Sequence, residues 1–147
     1  MFIECQAIEG RMLMGAQAVK YRPDGFLYYQ TMLWNAKRCI ESGPFTDWNP
    51  RTYRENNGDG SWTCAGPDCT PVPTIRLENF RDGLEDYAYA KILEAKLAAR
   101  ADKNDDWSRK AKKLLSVPRE LVDSITNFSD EPAALYRWRD AMADLIE

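Results

Sequence analysis

The chain has 147 residues, 44% apolar and 29% charged, with 20 basic and 23 acidic side chains for a net charge of −3. That length suffices for a packed core, the interspersed charges form no basic field for nucleic acid, and no apolar run approaches the ~20 residues of a membrane-spanning helix. Histidine is absent, which removes histidine-based triads, histidine general bases and His-ligated zinc from the available chemistry.

The opening MFIECQAIEG places Glu4 and Glu9 where a secretory leader carries a basic and then an apolar segment, so no signal peptide is expected in it. Ile8, Met12, Ala16 and Val19 recur at helical spacing and predict an amphipathic helix over 8–20. The run Arg22-Pro23-Asp24-Gly25 ends it, since proline lacks an amide proton and Asp-Gly favours a turn. Phe26 to Gln30 (FLYYQ) is continuously apolar and aromatic rather than alternating, which predicts a strand buried on both faces of a parallel sheet. Met1 to Cys5 reads as the tail of a second such strand. Two strands do not make a stable sheet alone, so the rest of that sheet is expected elsewhere.

A short helix is expected over Asn35 to Glu41, stopped by Ser42-Gly43-Pro44. The stretch that follows, to Pro73, is rich in Gly and Pro turn pairs, yet it carries Phe45, Trp48, Tyr53 and Trp62, which argue against a solvated linker. A brief strand is expected over Ser61 to Cys64. The four cysteines, Cys5, Cys39, Cys64 and Cys69, contain no C-x-x-C pair, so a zinc site is not expected. A bridge between Cys64 and Cys69 is geometrically conceivable, and spacing does not choose among the connectivities.

The second half is helical. Leu77, Phe80, Leu84, Ala88, Ile92, Ala95 and Ala99 predict a helix over 75–100 with Thr74 as its N-cap and Arg81, Asp82, Glu85 and Asp86 on a solvated face. Gly83 marks either a tolerated weakness or a close approach. Further helices are expected over Trp107 to Leu115, after Ser116 with Pro118 in the first turn and Leu121, Val122 and Ile125 as the apolar face, and after Ser129 with Leu135, Trp138, Met142 and Leu145 as the stripe. Asn127-Phe128-Ser129 fits a glycosylation acceptor, although Ser129 is also a natural helix cap.

Two blocks carry a resemblance. Glu9 to Gly15 (EGRMLMG), Lys20 to Tyr29 (KYRPDGFLYY) and Trp34-Asn35 form the first; Gly58-Asp59-Gly60 with Pro73 to Tyr87 (PTIRLENFRDGLEDY) forms the second. Together they resemble glycoside hydrolase family 123 and its relatives long labelled as a domain of unknown function. The resemblance implies an α/β fragment corresponding to the last units of a (β/α)8 barrel, followed by a mostly helical C-terminal region, with the boundary drawn at 1–73 and 74–147. It implies a retaining, substrate-assisted glycosidase acting on β-linked N-acetylhexosaminides such as N-acetylgalactosaminides, with no cofactor. In that mechanism the sugar's acetamido oxygen attacks the anomeric carbon while one carboxylate orients it and a second protonates the leaving oxygen. No residue of this chain matches that Asp-Glu pair, so no catalytic residue is assigned and the chain alone is expected to be inactive.

What remains is a share of the pocket wall. Residues at the C-terminal end of a barrel strand and in the loop after it line the active-site mouth, which makes Tyr28, Tyr29 and Trp34 candidate sugar contacts through their ring faces. Adjacent strand residues point to opposite faces, so Tyr28 and Tyr29 are not both expected inside. Glu4 and Asn35 are candidate polar contacts at the same rim, and Trp48 and Trp62 either extend the aromatic platform from the long loop or pin that loop to the body. Glu78 is expected to be held near the helix start by backbone amides or by a nearby arginine such as Arg81. Trp62-Thr63-Cys64 departs from the family in placing Cys64 where a tyrosine is frequent, which bears on sugar selectivity. The expected partners are a glycan or amino-sugar substrate, and either the missing barrel portion or a second copy joined through an exposed sheet edge. The competing reading is a noncatalytic carbohydrate-binding or oligomerising scaffold module. Neither nucleic acid nor a membrane is expected as a partner, and cellular location stays open.

Overall fold

The computed structural model describes residues 6–32, 60–65 and 70–147. In chain order they form α1 (Ala7–Met12), a π-helical turn (Leu13–Gln17), α2 (Ala18–Tyr21), β1 (Thr63–Ala65), β2 (Pro71–Pro73), α3 (Ile75–Ala99), α4 (Asp106–Leu115) and α5 (Pro132–Ile146). The contacts divide the chain into two compact units, residues 1–10 with 25–81 and residues 11–24 with 82–147.

In the first unit β1 and β2 pair antiparallel, with Thr63 opposite Pro73, Cys64 opposite Val72 and Ala65 opposite Pro71. These are the two strands among the described residues, and no closed barrel is seen in them. The brief strand expected over Ser61 to Cys64 is observed at Thr63–Ala65, starting two residues later and ending one residue later. Cys64 is a buried free thiol whose Sγ donates to the Val72 carbonyl at 3.6 Å. Thr74 precedes α3, where its carbonyl accepts from the amides of Leu77 and Glu78. Its hydroxyl turns back instead and donates to the carbonyls of Ser61 and Trp62, so Thr74 ties the helix start to the loop.

The covered strand expected over Phe26 to Gln30 does not form. That segment is irregular, with Phe26 43% and Leu27 88% exposed. A continuous apolar run is buried on both faces only where flanking strands accept its backbone bonds, and among the described residues the nearest pairing is the bridge of Met32 to Ser61 just after it. The expected helix over Asn35 to Glu41, the tail at Met1 to Cys5, and Trp48 lie outside the described residues.

The second unit is helical, as the sequence periodicity predicts. The π-helical turn and α2 continue the first helix to Tyr21, and Arg22 closes it in the left-handed region at φ 50, just before Pro23 forbids a further turn. Asp105 caps α4 by accepting from the Ser108 amide at 2.6 Å. Pro132 sits in the first turn of α5, where its missing N–H costs nothing. The helices α4 and α5 run antiparallel: Trp138 Nε1 donates to the Leu114 carbonyl at the end of α4, and Trp107 Nε1 at its start donates to the Leu145 carbonyl. Met12, Ala16, Leu93, Ala111, Leu121, Val122, Leu135, Trp138 and Met142 make the core.

Two expectations fail here for physical reasons. No helix follows Ser116, which instead closes α4. Val117 precedes Pro118, a placement that disfavours the helical region, and it adopts a left-handed φ of 55. One turn then forms, with the Leu121 and Val122 amides both donating to the Pro118 carbonyl, and Val122 bridges to Phe128. Leu121 and Val122 are buried as expected, whereas Ile125 is exposed. The second failure is the face of α3: Leu84 and Ile92 are exposed, and Gly83, Asp86, Ala90 and Leu93 are the buried positions.

Candidate functional site

The first unit gathers an aromatic cluster around Gly60. Gly60, at φ 66 in the region that favours glycine, donates its amide to Tyr28 Oη at 3.1 Å. The Tyr28 ring stacks on Trp62, with centroids 4.9 Å apart and planes at 20°. Trp62 packs on Phe80 at 4.4 Å, and Phe80 packs on Phe26 at 5.5 Å. Such ring pairs contribute about 0.5–1.5 kcal/mol each beyond their buried area. The Trp62 amide donates to the Thr31 carbonyl at 3.0 Å and its carbonyl accepts from the Thr74 amide. The tryptophan is thereby fixed through backbone and ring together.

The structure thus joins two of the sequence candidates, Tyr28 and Trp62. Trp62 is only 7% exposed and Tyr28 is half-buried, while Tyr29 is 79% exposed and offers its ring to solvent. Glu4, Trp34 and Asn35 lie outside the described residues. Phe80 and Phe26 complete the cluster. Their apolar type is visible in the sequence, but only the tertiary pairing shows that they serve the same tryptophan.

The acidic residues of α3 arrange differently from the solvated face expected for them. Asp86 is completely buried. Arg11 from α1 donates to it twice, Nε to Oδ2 at 2.7 Å and Nη2 to Oδ1 at 3.0 Å, and reaches Asp82 at 3.4 Å. Arg139 approaches Asp86 from α5 at 3.4 Å. The rings of Tyr136 and Tyr89 lie 5.0 and 5.1 Å from the Arg11 and Arg139 guanidinium carbons. Burial lifts the Asp86 carboxyl above its usual range, against the Arg11 hydrogen bonds and the Arg11 and Arg139 charges. Burial also works against the Arg11 charge, but the bond to Asp86 and the charges of Asp86 and Asp82 outweigh it and hold Arg11 above its usual range.

With both oxygens taken by guanidinium groups, Asp86 is a structural anchor rather than a proton donor. Glu85 is exposed, so this adjacent pair does not converge on one bond. Glu78 forms an ion pair with Arg81 within α3, the arginine alternative of the two expected for it. The sequence does carry a signal for the anchor: Arg11 falls among Ile8, Met12 and Gly15 on the buried stripe of the first helix, a position where a charge demands a partner. Among the described residues no three His, Cys, Asp or Glu are placed to hold a metal ion, and no described helix is long and apolar enough to cross a membrane.

Comparison with known proteins gives one positive finding. The family model for the catalytic domain of glycoside hydrolase 123 matches residues 1–93, a span that contains both sequence blocks and the whole aromatic cluster. A search of curated proteins finds no match, and a search of solved structures finds none either. Since the matched stretch is more than half of the 147 residues, the chain belongs to the glycoside hydrolase 123 family.

Proposed function

We propose that the chain is a C-terminal segment of a glycosidase acting on β-linked N-acetylhexosaminides, of the N-acetylgalactosaminide type, and that it supplies pocket wall without the catalytic Asp-Glu pair. The observation that carries this reading is the family match over residues 1–93 together with an aromatic cluster built on the Gly60 loop inside that span. In this reading Trp62 and Tyr28 form a rigid base, and the exposed Tyr29 ring packs against the apolar face of a sugar while its hydroxyl reaches an oxygen. Glu4, Trp34 and Asn35 are assigned to the same rim from the sequence alone. Acid-base chemistry comes from carboxylates outside this chain.

Titration with N-acetylgalactosamine, followed by tryptophan fluorescence and calorimetry, tests the reading. Saturable quenching in the millimolar range, absent in Tyr29→Ala, is the expected result. A flat signal and no heat at high millimolar sugar would remove the pocket-wall role. A second reading, self-association, is favoured by the exposure of Leu27, Tyr29, Met32 and Ile75 in the first unit. Sedimentation separates the two: a sugar-insensitive dimer weakened by Leu27→Glu supports the scaffold.

A further inference from the structure

The second unit holds a groove of about 500 Å³ between α4 and α5 that the proposed glycosidase role does not use. Along α5 it is lined by Ala134, Trp138, Ala141 and Leu145. Their spacing of four, three and four residues is the repeat with which one helix receives the side chains of another. Small alanines alternating with larger residues leave holes rather than a flat surface. From Ala134 to Leu145 the lined face is about 17 Å long at 1.5 Å per residue, roughly three helical turns. Leu114 and Leu121 close the other side.

The charge around this groove is distinctive. Among the described residues, every lysine and arginine outside it is engaged by a carboxylate, a carbonyl or another group. Lys110, Lys113 and Arg137 have no such partner among the described residues, and all three line the groove. Glu120 and Asp144 also line it, so the lining carries three positive and two negative groups, on a chain whose net charge is −3. No charged side chain in the lining is buried: Lys110, Lys113, Glu120, Arg137 and Asp144 are all exposed, and the indole N–H of the buried Trp138 is taken by the Leu114 carbonyl. A pocket for a small molecule has a few converging polar groups in its wall. A groove with an apolar floor and a charged rim instead fits an amphipathic helix.

We infer that the α4–α5 groove docks a partner's amphipathic helix of about three turns, apolar on the face that enters between Ala134 and Leu145 and acidic along the edge that meets Lys110, Lys113 and Arg137. The apolar contact supplies most of the affinity, and the cations select against basic helices.

The full chain tests this directly. The probes are two fluorescein-labelled peptides of about 14 residues with leucines at alternating spacings of three and four, one flanked by glutamates and one by lysines, titrated by anisotropy in about 0.1 M salt. The acidic peptide is expected to bind saturably and about tenfold more tightly than the basic one. The variant K110E/K113E/R137E is expected to erase that preference, and Ala141→Trp, which fills the groove, to abolish binding, with circular dichroism showing both variants folded. Should Ala141→Trp unfold the chain, Ala141→Leu is the smaller filling change. Failure of the acidic peptide to saturate below 1 mM, equal affinity for both peptides, or binding untouched by filling overturns the inference. If sedimentation shows a dimer that the filling variant dissociates while neither peptide binds, the groove is an interface between copies and the inference is likewise overturned.

Discussion

Arg11 and Asp86, 75 positions apart, form a two-pronged ion pair in the helical unit, with side chains 4% and 0% exposed. Its geometry sets a clear energetic expectation. The pair is dispensable as a unit, because desolvation costs offset its attraction, but each half left alone is a buried charge without compensation. Asp86→Leu is expected to cost about 3–5 kcal/mol, and Arg11→Met a comparable amount. The double variant Arg11→Met with Asp86→Leu is expected to regain most of that loss. Urea unfolding of the four proteins checks it, and strictly additive losses would show that the two side chains are not energetically coupled.

Gly83 lies where α3 meets the first helix. A Cβ there would sit 2.8 Å from the Arg11 carbonyl oxygen and 2.9 Å from Met14 Cβ, and a backbone oxygen does not swing aside. Alanine would gain about 1 kcal/mol in helix propensity, yet forcing the helices apart costs about 1–3 kcal/mol and also lengthens the Arg11–Asp86 bonds beside it. Gly83→Ala is therefore expected to lower the melting temperature. Gly15→Ala, whose Cβ would meet Asp86 Cβ at 3.1 Å, is expected to do so less. A rise in melting temperature for Gly83→Ala would show that the helices separate freely.

The same glycine explains what could be read from the sequence. Periodicity placed α3 within one residue of its observed Ile75–Ala99 span and located α4 and α5, because helix limits depend on local signals such as the Asp105 cap and Pro132. The face that α3 buries was not legible. Two of its four buried positions are Gly83 and Asp86, a missing side chain and a paired carboxylate, and neither registers as apolar. The segment after Ser116 misled for a related reason: Leu121 and Val122 have helical spacing, but Val117 before Pro118 decides the backbone. Phe26 to Gln30 shows the converse limit, since burial of an apolar run depends on strands that the run does not encode. In the aromatic cluster the residue types were visible, but the stacking of Tyr28 on Trp62 across 34 positions was not.

Asp105 gives a pH-dependent expectation. The Arg100 guanidinium and then the Ser108 amide stabilise its carboxylate and bring it down to about 2 from an ordinary 3.8. A carboxyl whose folded value is depressed contributes stability above its unfolded value and loses it as pH falls through the folded one. The contribution is therefore complete above about pH 4 and declines toward pH 2. Because the group is accessible to water, the effect is expected to be small and to weaken with salt. Asp105→Ala should lower the melting temperature by a few degrees at pH 7 and narrow its gap to the parent protein near pH 2. A gap that stays constant between pH 7 and pH 2 would show that the ionised cap contributes nothing.

Tyr28 and Tyr29 are neighbours with opposite expected roles. Tyr28 accepts the Gly60 amide and stacks on Trp62, so removing only its hydroxyl leaves the Gly60 N–H without that acceptor while keeping the ring. Tyr28→Phe is expected to cost about 1 kcal/mol of stability, and Tyr28→Ala more, since the stacking goes as well. Tyr29 is exposed, and Tyr29→Ala is expected to change stability by no more than about 0.5 kcal/mol. Under the pocket-wall proposal the order reverses for sugar: Tyr29→Ala abolishes the N-acetylgalactosamine response, whereas Tyr28→Phe weakens it by only severalfold, through a looser Gly60 loop. Unfolding curves and sugar titrations on the same three variants measure both orders. A Tyr29→Ala protein that keeps the full sugar response would move the contact away from that ring, and a Tyr28→Phe protein as stable as the parent would make the Gly60 bond energetically idle.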